Sequence, residues 1–594
     1  MRPRSLALLL FGLSFTALRA QEPQGLPHTL APYEQELIRP YRDSRAGASR
    51  GITTPPDFAP RTMAEWEEIQ ALVVTWTSYT GILKQIVRHA KEEVPVIIVC
   101  SNPTTVQNYL LNTQYGGPLE NLDNIIFQVS PFNSIWVRDF GPETIYQNEV
   151  DSLYLLDWLY NRPRPLDDGL SDELGDALNI AVYSTTQAPY DLVHTGGNFM
   201  SDGFGTAFSS GLVLEENGPN GEYNQTVRTA AGVDAIMEQF MGIQQGRYVK
   251  MTPLLYDNIN HIDMHMKLLD EETLLVGEFP TGLSDGPQIE VNLQGVLDDV
   301  PSTFGTPYRT VRIPMPPSTG GNFPPNASYR TYANNIFING TVLVPTYRTE
   351  YDTTGLRILR EALPGYKVIG IDCDNSDQNI ISASGAIHCI TKGIGVRDPL
   401  LIRHQRLVDT YDTEDPYTVQ AYIRHRSGIA SAEVYWTTDT TAGFNALPMT
   451  AGPDNTWSAA IPAQPVGTDI YYYIHATANS GKQQVRPIVA PEGWWRFRVL
   501  GLTTGVPAIE GPSIAEVFPN PTSSLLMVTV NGAGQAPVNV TLRDALGRTV
   551  MTLHRGVLPA DQRLFADLSY LAEATYLVVV EGPNGRSVMP VMKK

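Results

Sequence analysis

Strands and helices alternate from Phe58 to about Arg403, and two stretches of strands without helices follow. That pattern predicts an α/β region succeeded by two small β-sandwich domains. A change of texture around Arg403–Pro416 and a Gly-, Pro- and Thr-rich stretch from Gly501 to Pro512 mark the joins.

The N-terminus reads Met1-Arg2-Pro3-Arg4, then Leu6 to Leu18 almost wholly apolar, then Leu18-Arg19-Ala20-Gln21. A basic start, a short apolar core and a small residue before Gln21 predict a secretory signal peptide over residues 1–20. The apolar stretch is too short for a membrane span, and no later stretch comes close, so no stable membrane span is expected. Residues 21–57 are polar and proline-containing without clear periodicity, which predicts a leader or an extended arm. Residues 58–403 carry the alternation. Leu72-Val73-Val74-Thr75-Trp76 reads as a strand, Leu83 to Glu92 as a helix, and Pro95 to Val99 as a strand. Leu274-Leu275-Val276, Ile336-Phe337-Ile338, Thr341-Val342-Leu343-Val344 and Tyr366 to Ile371 continue the series. Over residues 415–500, segments such as Tyr417 to Ile423, Ala432 to Trp436 and Asp469 to His475 alternate with polar turns, as in a small immunoglobulin-like sandwich. Residues 513–594 form the second small β-domain, opening on Phe518-Pro519-Asn520-Pro521 and ending on Tyr576 to Val580 and Lys593-Lys594.

A chain of 594 residues and 65.5 kDa exceeds one ordinary core. Hydrophobic content of 42% with 18% charged residues describes a folded chain. The formal charge of −20 and pI near 4.9 exclude a nucleic-acid footprint. Three cysteines do not make a disulfide framework. Cys100 closes an apolar run and reads as buried packing. Cys373 stands between Asp372 and Asp374, which raise rather than lower a thiol pKa. An odd count leaves at least one thiol free, and Cys389 is the candidate for it. No Cys or His spacing suggests a catalytic metal, and no glycine-rich phosphate loop follows a strand.

The segment Gly385-Ala386-Ile387-His388-Cys389-Ile390-Thr391 brings a thiol, Trp136-Val137-Arg138-Asp139-Phe140-Gly141-Pro142 an acid, and His261-Ile262-Asp263 a histidine with a second acid. One nucleophile, one proton donor and two carboxylates suit attack on a guanidinium carbon. The group is a planar cation rich in N–H donors, so carboxylates clamp it, and a thiolate is the side-chain nucleophile best suited to its poor electrophile.

With Thr195-Gly196-Gly197-Asn198 and Tyr160-Asn161-Arg162-Pro163-Arg164-Pro165, these segments resemble the bacterial peptidylarginine deiminase and agmatine deiminase family over roughly residues 60–403. The resemblance implies a five-bladed pseudo-symmetric α/β propeller of ββαβ modules with the site at its centre. It implies Cys389 as nucleophile, His261 as proton donor and Asp139 with Asp263 as guanidinium clamps. Asn334 and Trp136 are expected beside the substrate, with Asn335 leaving the register of the asparagine open. Arg162 and Arg164 are expected to hold the carboxylate of a C-terminal arginine, facing the same way from a segment kept extended by Pro163 and Pro165. The chain departs from the peptidylarginine branch at Asp257-Asn258-Ile259-Asn260, where that branch carries a tyrosine. His388 is expected to point away from Cys389 on a strand and to be structural, while the spacing of His261 and Asp263 puts both on one strand face. Gly196 and Gly197 read as architectural tight turns.

Residues 513–594 resemble the C-terminal sorting domain of the type IX secretion system, which makes that machinery an expected partner and places the protein outside the cell or on its surface. The expected function is deimination of arginine-containing peptides or small guanidino substrates, without a cofactor. The alternatives are deimination of agmatine or free arginine and, from another class, a catalytically silent surface adhesin.

Overall fold

The structure, a computed structural model, describes residues 27–48, 50–501, 513–531, 537–559, 562–582 and 585–594. The expected signal peptide lies outside the described residues. From Pro60 to Gly395 the chain forms five small mixed sheets. Four of them repeat one plan. An antiparallel pair comes first, then a helix, then a strand parallel to the second strand of the pair. Met266–Asp270, Thr273–Glu278 and Arg309–Pro314 follow it around the helix Gly286–Asp299. Ile336–Ile338, Thr341–Thr346 and Lys367–Asp372 follow it around Thr349–Ala362. Parallel neighbours need a crossover, and the amphipathic helices supply it.

In the fifth sheet the parallel strands Ile69–Thr75, Val96–Cys100 and Ile125–Val129 take their antiparallel partner from the far end of the region, Lys392–Gly395. That pairing joins the beginning of the region to its end and holds the segment bearing Cys389 against the first strand. One buried cluster spans Ala64 to Ile394, and a second, with Leu156, Trp158, Phe199, Ile236 and Phe240, lies between Ile145 and Tyr248.

Beyond it, Leu401–Arg403 pairs with Tyr417–Arg424, so the all-β pairing begins inside residues expected to close the α/β region. Two antiparallel sheets enclose a core of Val419, Ile423, Val434, Ile474 and Phe497. Two more, built from strands between Ser513 and Lys593, enclose Leu526, Val528, Val540, Leu542 and Val578. Ion pairs tie the first of these regions to the α/β sheets, among them Arg406 with Asp270 at 2.9 Å and Arg486 with Glu271 at 2.7 Å.

The expected leader or extended arm contains a helix instead, Pro32–Ala48. Its buried side chains are Glu34, Ile38, Tyr41 and Arg45, spaced as one helical face. Half of that face is charged, which hides it from a search for apolar periodicity. Arg45 reaches Asp157 at 2.7 Å and Asp172 at 3.8 Å and also pairs with Asp168. Tyr41 donates its hydroxyl to the Tyr160 carbonyl at 3.1 Å. The helix is thereby fastened to the chain just before Arg162. Among the described residues, no helix is long and apolar enough to cross a membrane.

Candidate active site

Each of the five sheets delivers a residue from the segment immediately upstream of the first strand in its antiparallel pair. Asp139 lies in the short helix Val137–Phe140 before Glu143–Gln147. The turn Gly196–Asn198 precedes Met200–Ser201, and the turn Ile262–Met264 precedes Met266–Asp270. Asn334 precedes Ile336–Ile338, and the turn His388–Ile390 precedes Lys392–Gly395. Five equivalent entry segments converge, which brings together residues far apart in sequence.

Cys389, His261, Asp139, Trp136 and Arg162 line one cavity of about 390 Å³. All five are buried. Asn334 donates its amide to Cys389 Sγ at 3.2 Å and accepts from the His388 backbone N–H at 3.0 Å. Asn335 turns back to the Tyr332 carbonyl, so of the two asparagines it is Asn334 that reaches the sulfur. Cys389 Sγ lies 3.5 Å from Asp263 Oδ2. His261 stands 3.6 Å from Asp139 through Nδ1 and 3.1 Å from the Thr195 hydroxyl through Nε2. Asp263 Oδ1, His261 Nδ1 and the Trp136 indole nitrogen are buried without a hydrogen-bond partner among the described residues.

Gly197 stands at the point of convergence. A Cβ there would lie 2.5 Å from His261 Nδ1, 2.8 Å from Asp139 Oδ1 and 3.3 Å from Asp263 Oδ2. The Gly197 N–H donates to Asp139 Oδ1 at 3.1 Å. Gly385 makes similar room, since a Cβ there would meet the Trp136 ring at 2.4 Å and Cys389 Cβ at 3.2 Å. Sequence reading took Gly197 for architecture, although a Gly-Gly pair beside a catalytic motif is itself a sign of close approach.

The two acids sit in opposite electrostatic settings. Burial would raise Asp263, but the His388 hydrogen bond and charge, with His261 and Arg138, hold it below the ordinary carboxylate value. Asp139 is raised by burial and by Asp263, against the pull of His261. Burial together with Asp263 and Asp139 pushes the Cys389 thiol well above its usual value. A cation held between those carboxylates would oppose that shift and favour the thiolate. Cys100 and Cys373 are buried, and Cys373 is raised further by its flanking acids after burial itself.

Several sequence expectations change. His261 and Asp263 share the site from a 3₁₀ turn rather than from one face of a strand. His388 also lies in a turn, where its ring bonds Asp263 instead of pointing away. Arg162 and Arg164 do not share an extended segment. The Arg164 N–H donates to the Arg162 carbonyl at 2.7 Å, closing a tight turn that leads into the helix Pro165–Asp168. Arg162 lines the cavity and Arg164 does not. Arg162 is engaged by the Glu34 carboxylate at 3.5 Å and by the Pro27 carbonyl.

Sequence reading missed Glu65, Thr195 and Glu216. Glu216 is hydrogen-bonded by Asn161 at 2.6 Å, and burial pushes its carboxyl up to about 8. His265 is buried with both nitrogens unpartnered among the described residues, and burial holds it down to about 4. No group of three or more His, Cys, Asp or Glu that could hold a metal occurs among the described residues.

Residues 61–394 match the family described as Porphyromonas-type peptidyl-arginine deiminase, and residues 516–594 match the secretion system C-terminal sorting domain. A Vibrio parahaemolyticus protein named "Putative agmatine deiminase" is 24% identical over 288 residues, which are 44% of this chain and 76% of that protein. Among solved structures, the agmatine deiminase of Enterococcus faecalis is 17% identical with a TM-score of 0.49, covering 58% of this chain and 100% of its own. The C. jejuni agmatine deiminase is 19% identical with a TM-score of 0.45, covering 56% of this chain and 96% of its own.

Proposed function

The chain belongs to the Porphyromonas-type peptidyl-arginine deiminase family, and from that premise we propose a thiol-dependent hydrolase that converts a C-terminal peptidyl-arginine to citrulline and ammonia. The observation that carries this reading is the shared cavity, with Cys389 and His261 lining it and Arg162 on the same wall. Arg162 already holds a carboxylate of the chain itself, that of Glu34, which is the chemistry a C-terminal arginine would present.

In the proposed reaction Asp139 and Asp263 accept hydrogen bonds from the guanidinium nitrogens. Cys389 passes its proton to His261 and its sulfur bonds to the guanidinium carbon. His261 returns the proton to one nitrogen as its bond to carbon breaks, and ammonia leaves. The thiouronium that remains is attacked by water, whose proton His261 takes. The C–S bond then breaks as the new hydroxyl gives its proton to the departing sulfur, leaving the ureido product, the Cys389 thiol and a protonated His261 that releases its proton to water. Asn334, on the sulfur at 3.2 Å, stabilises the thiolate form. The scheme uses no cofactor.

The five mixed sheets support the five-bladed propeller arrangement, and the paired antiparallel sheets support an immunoglobulin-like domain over about 415–500. The sorting domain supports secretion or surface attachment; export through an N-terminal signal peptide belongs to the proposal.

A ureido assay on a peptide ending in arginine, free arginine and agmatine tests the substrate reading. The peptide should be the best substrate. Two observations favour agmatine as a second reading. A relative carries that name, and Asn161 on the cavity wall donates to the acid Glu216 behind it, a polar pair that could receive an amine. Agmatine turned over as well as the peptide would decide for it.

A further inference from the structure

His388 lies between two carboxylates. Its Nδ1 is 2.7 Å from Asp263 Oδ2 and its Nε2 is 2.6 Å from Glu65 Oε2. An ionised carboxylate only accepts, so the ring satisfies both partners by carrying a proton on each nitrogen. Asp263 Oδ2 is thus committed to His388 and Cys389, while Oδ1 is buried and free of protein partners among the described residues. Glu65 in turn is held by Lys267 at 2.5 Å and faces Arg138 at 3.8 Å. Its side chain is 24% exposed and lines a second cavity of about 730 Å³ with Arg138, Asp263, Lys267 and Lys392. That cavity shares no lining residue with the one that holds Cys389.

We infer that Glu65 is a positioning residue for deimination: its bond to Nε2 holds the His388 ring against Asp263 Oδ2, which leaves Asp263 Oδ1 free for a guanidinium nitrogen. The inference rests on Asp263 being a guanidinium clamp. Every charged neighbour of the ring has a place in it. Asp263 and Glu65 flank the imidazole, and Arg138 donates to the His388 carbonyl at 3.3 Å. Lys267 backs Glu65, and Lys392 is paired with Glu143. His261 and Asp139 act on Asp263 from beyond the ring. Burial would raise Glu65, yet His388, Lys267 and Arg138 hold it well below the ordinary value, so it stays a carboxylate. Take its charge away and the His388 ring loses the partner that holds it against Asp263. Asp263, buried near Asp139, then ionises less readily.

The test is the pH profile of kcat/KM for a guanidino substrate in the full chain. Glu65→Gln should move the acid limb up by about one unit, so that kcat/KM read a unit or more below the parent's acid midpoint falls about tenfold beyond any loss at pH 8. Glu65→Asp should bring the limb back toward the parent. A profile that superimposes on the parent, or a loss by one factor at every pH, overturns the inference. If Glu65→Gln does not fold, the imidazole nitrogen NMR shifts of His388 in the unaltered protein decide. Both nitrogens protonated at pH 7.5 supports it, and a neutral tautomer overturns it. Asp263→Asn separates the two readings, because a wild-type KM in that variant removes the clamp itself whatever Glu65 does.

Discussion

Glu34 Oε2 stands 3.5 Å from Arg162 Nη1, and both side chains are less than a tenth exposed. A carboxylate from the N-terminal helix therefore rests on the arginine assigned to the substrate carboxylate. The helix is held there by Arg45 among Asp157, Asp168 and Asp172, and by Arg42 on Asp191. Closer to the site, the His28 N–H donates to the Asn258 carbonyl, in the loop that leads to His261.

Removing that internal carboxylate should help a substrate that brings its own. Glu34→Ala is expected to lower KM for a peptide ending in free arginine severalfold and to leave its amidated twin almost unchanged. Charge-assisted hydrogen bonds contribute roughly 1.5–3 kcal/mol each, about tenfold to a hundredfold apiece. Arg162→Ala should therefore shrink the gap between the two peptides. A raised KM in Glu34→Ala would make Glu34 a brace for Arg162 instead of a competitor.

Gly197→Ala should cost at least a hundredfold in kcat/KM, because the methyl group would occupy the point where His261, Asp139 and Asp263 meet. The fold should survive. Gly295→Ala is the matched control. It lies exposed in the helix Gly286–Asp299 with no atom within 4 Å of an added Cβ. It should raise stability by about 0.5–1 kcal/mol and leave activity unchanged. Circular dichroism melts beside the ureido assay separate the two effects.

The site was legible in sequence through its motifs taken together. Five motifs in the order of a known family, rather than spacing, carried Cys389, His261, Asp263 and Asp139 into one expected cluster, and Asp139 alone would read as a surface Arg–Asp pair. What escaped was whatever depends on the turn rather than the residue. Arg162 and Arg164 separate because the backbone folds back between them, which two prolines do not announce. His388 reaches Asp263 because its segment is a 3₁₀ turn, which abolishes strand alternation. Glu65 reads as one more acid in Ala64-Glu65-Trp66-Glu67-Glu68, and only the closing of the sheet through Lys392–Gly395 brings it to His388. The helix Pro32–Ala48 escaped because its inner face is half charged.

Stability should fall between neutral and mildly basic pH. Burial pushes Glu216 up to about 8 and Asp257 and Glu278 up to about 7, all above their unfolded values. Each carboxyl binds its proton more tightly when folded. The stability it contributes is complete below its unfolded pKa and is lost as pH rises through 7 and 8. Burial lowers His194, His265 and His404, which act the other way below about pH 6.5. Urea midpoints should therefore fall from pH 7 to pH 8, and Glu216→Gln should reduce the difference. Glu65 and Asp263, lowered instead, act only at the acid end and do not cancel the trend.

Cys389→Ala should abolish ureido formation and leave the fold intact, since the sulfur is the proposed covalent centre. Cys100→Ala and Cys373→Ala should keep turnover. Cys100 closes a core strand, and Cys373 is buried between acids that oppose its thiolate. The same electrostatics make a sharper claim. Burial and the two carboxylates keep Cys389 protonated, so a neutral alkylating agent should modify it slowly at pH 7.5. An amidinium-bearing agent brings the cation that Asp139 and Asp263 hold, and it should react at least tenfold faster. Intact mass should show one adduct, and digestion should place it on Cys389. Equal rates for the two agents would mean that bound positive charge does not activate the sulfur.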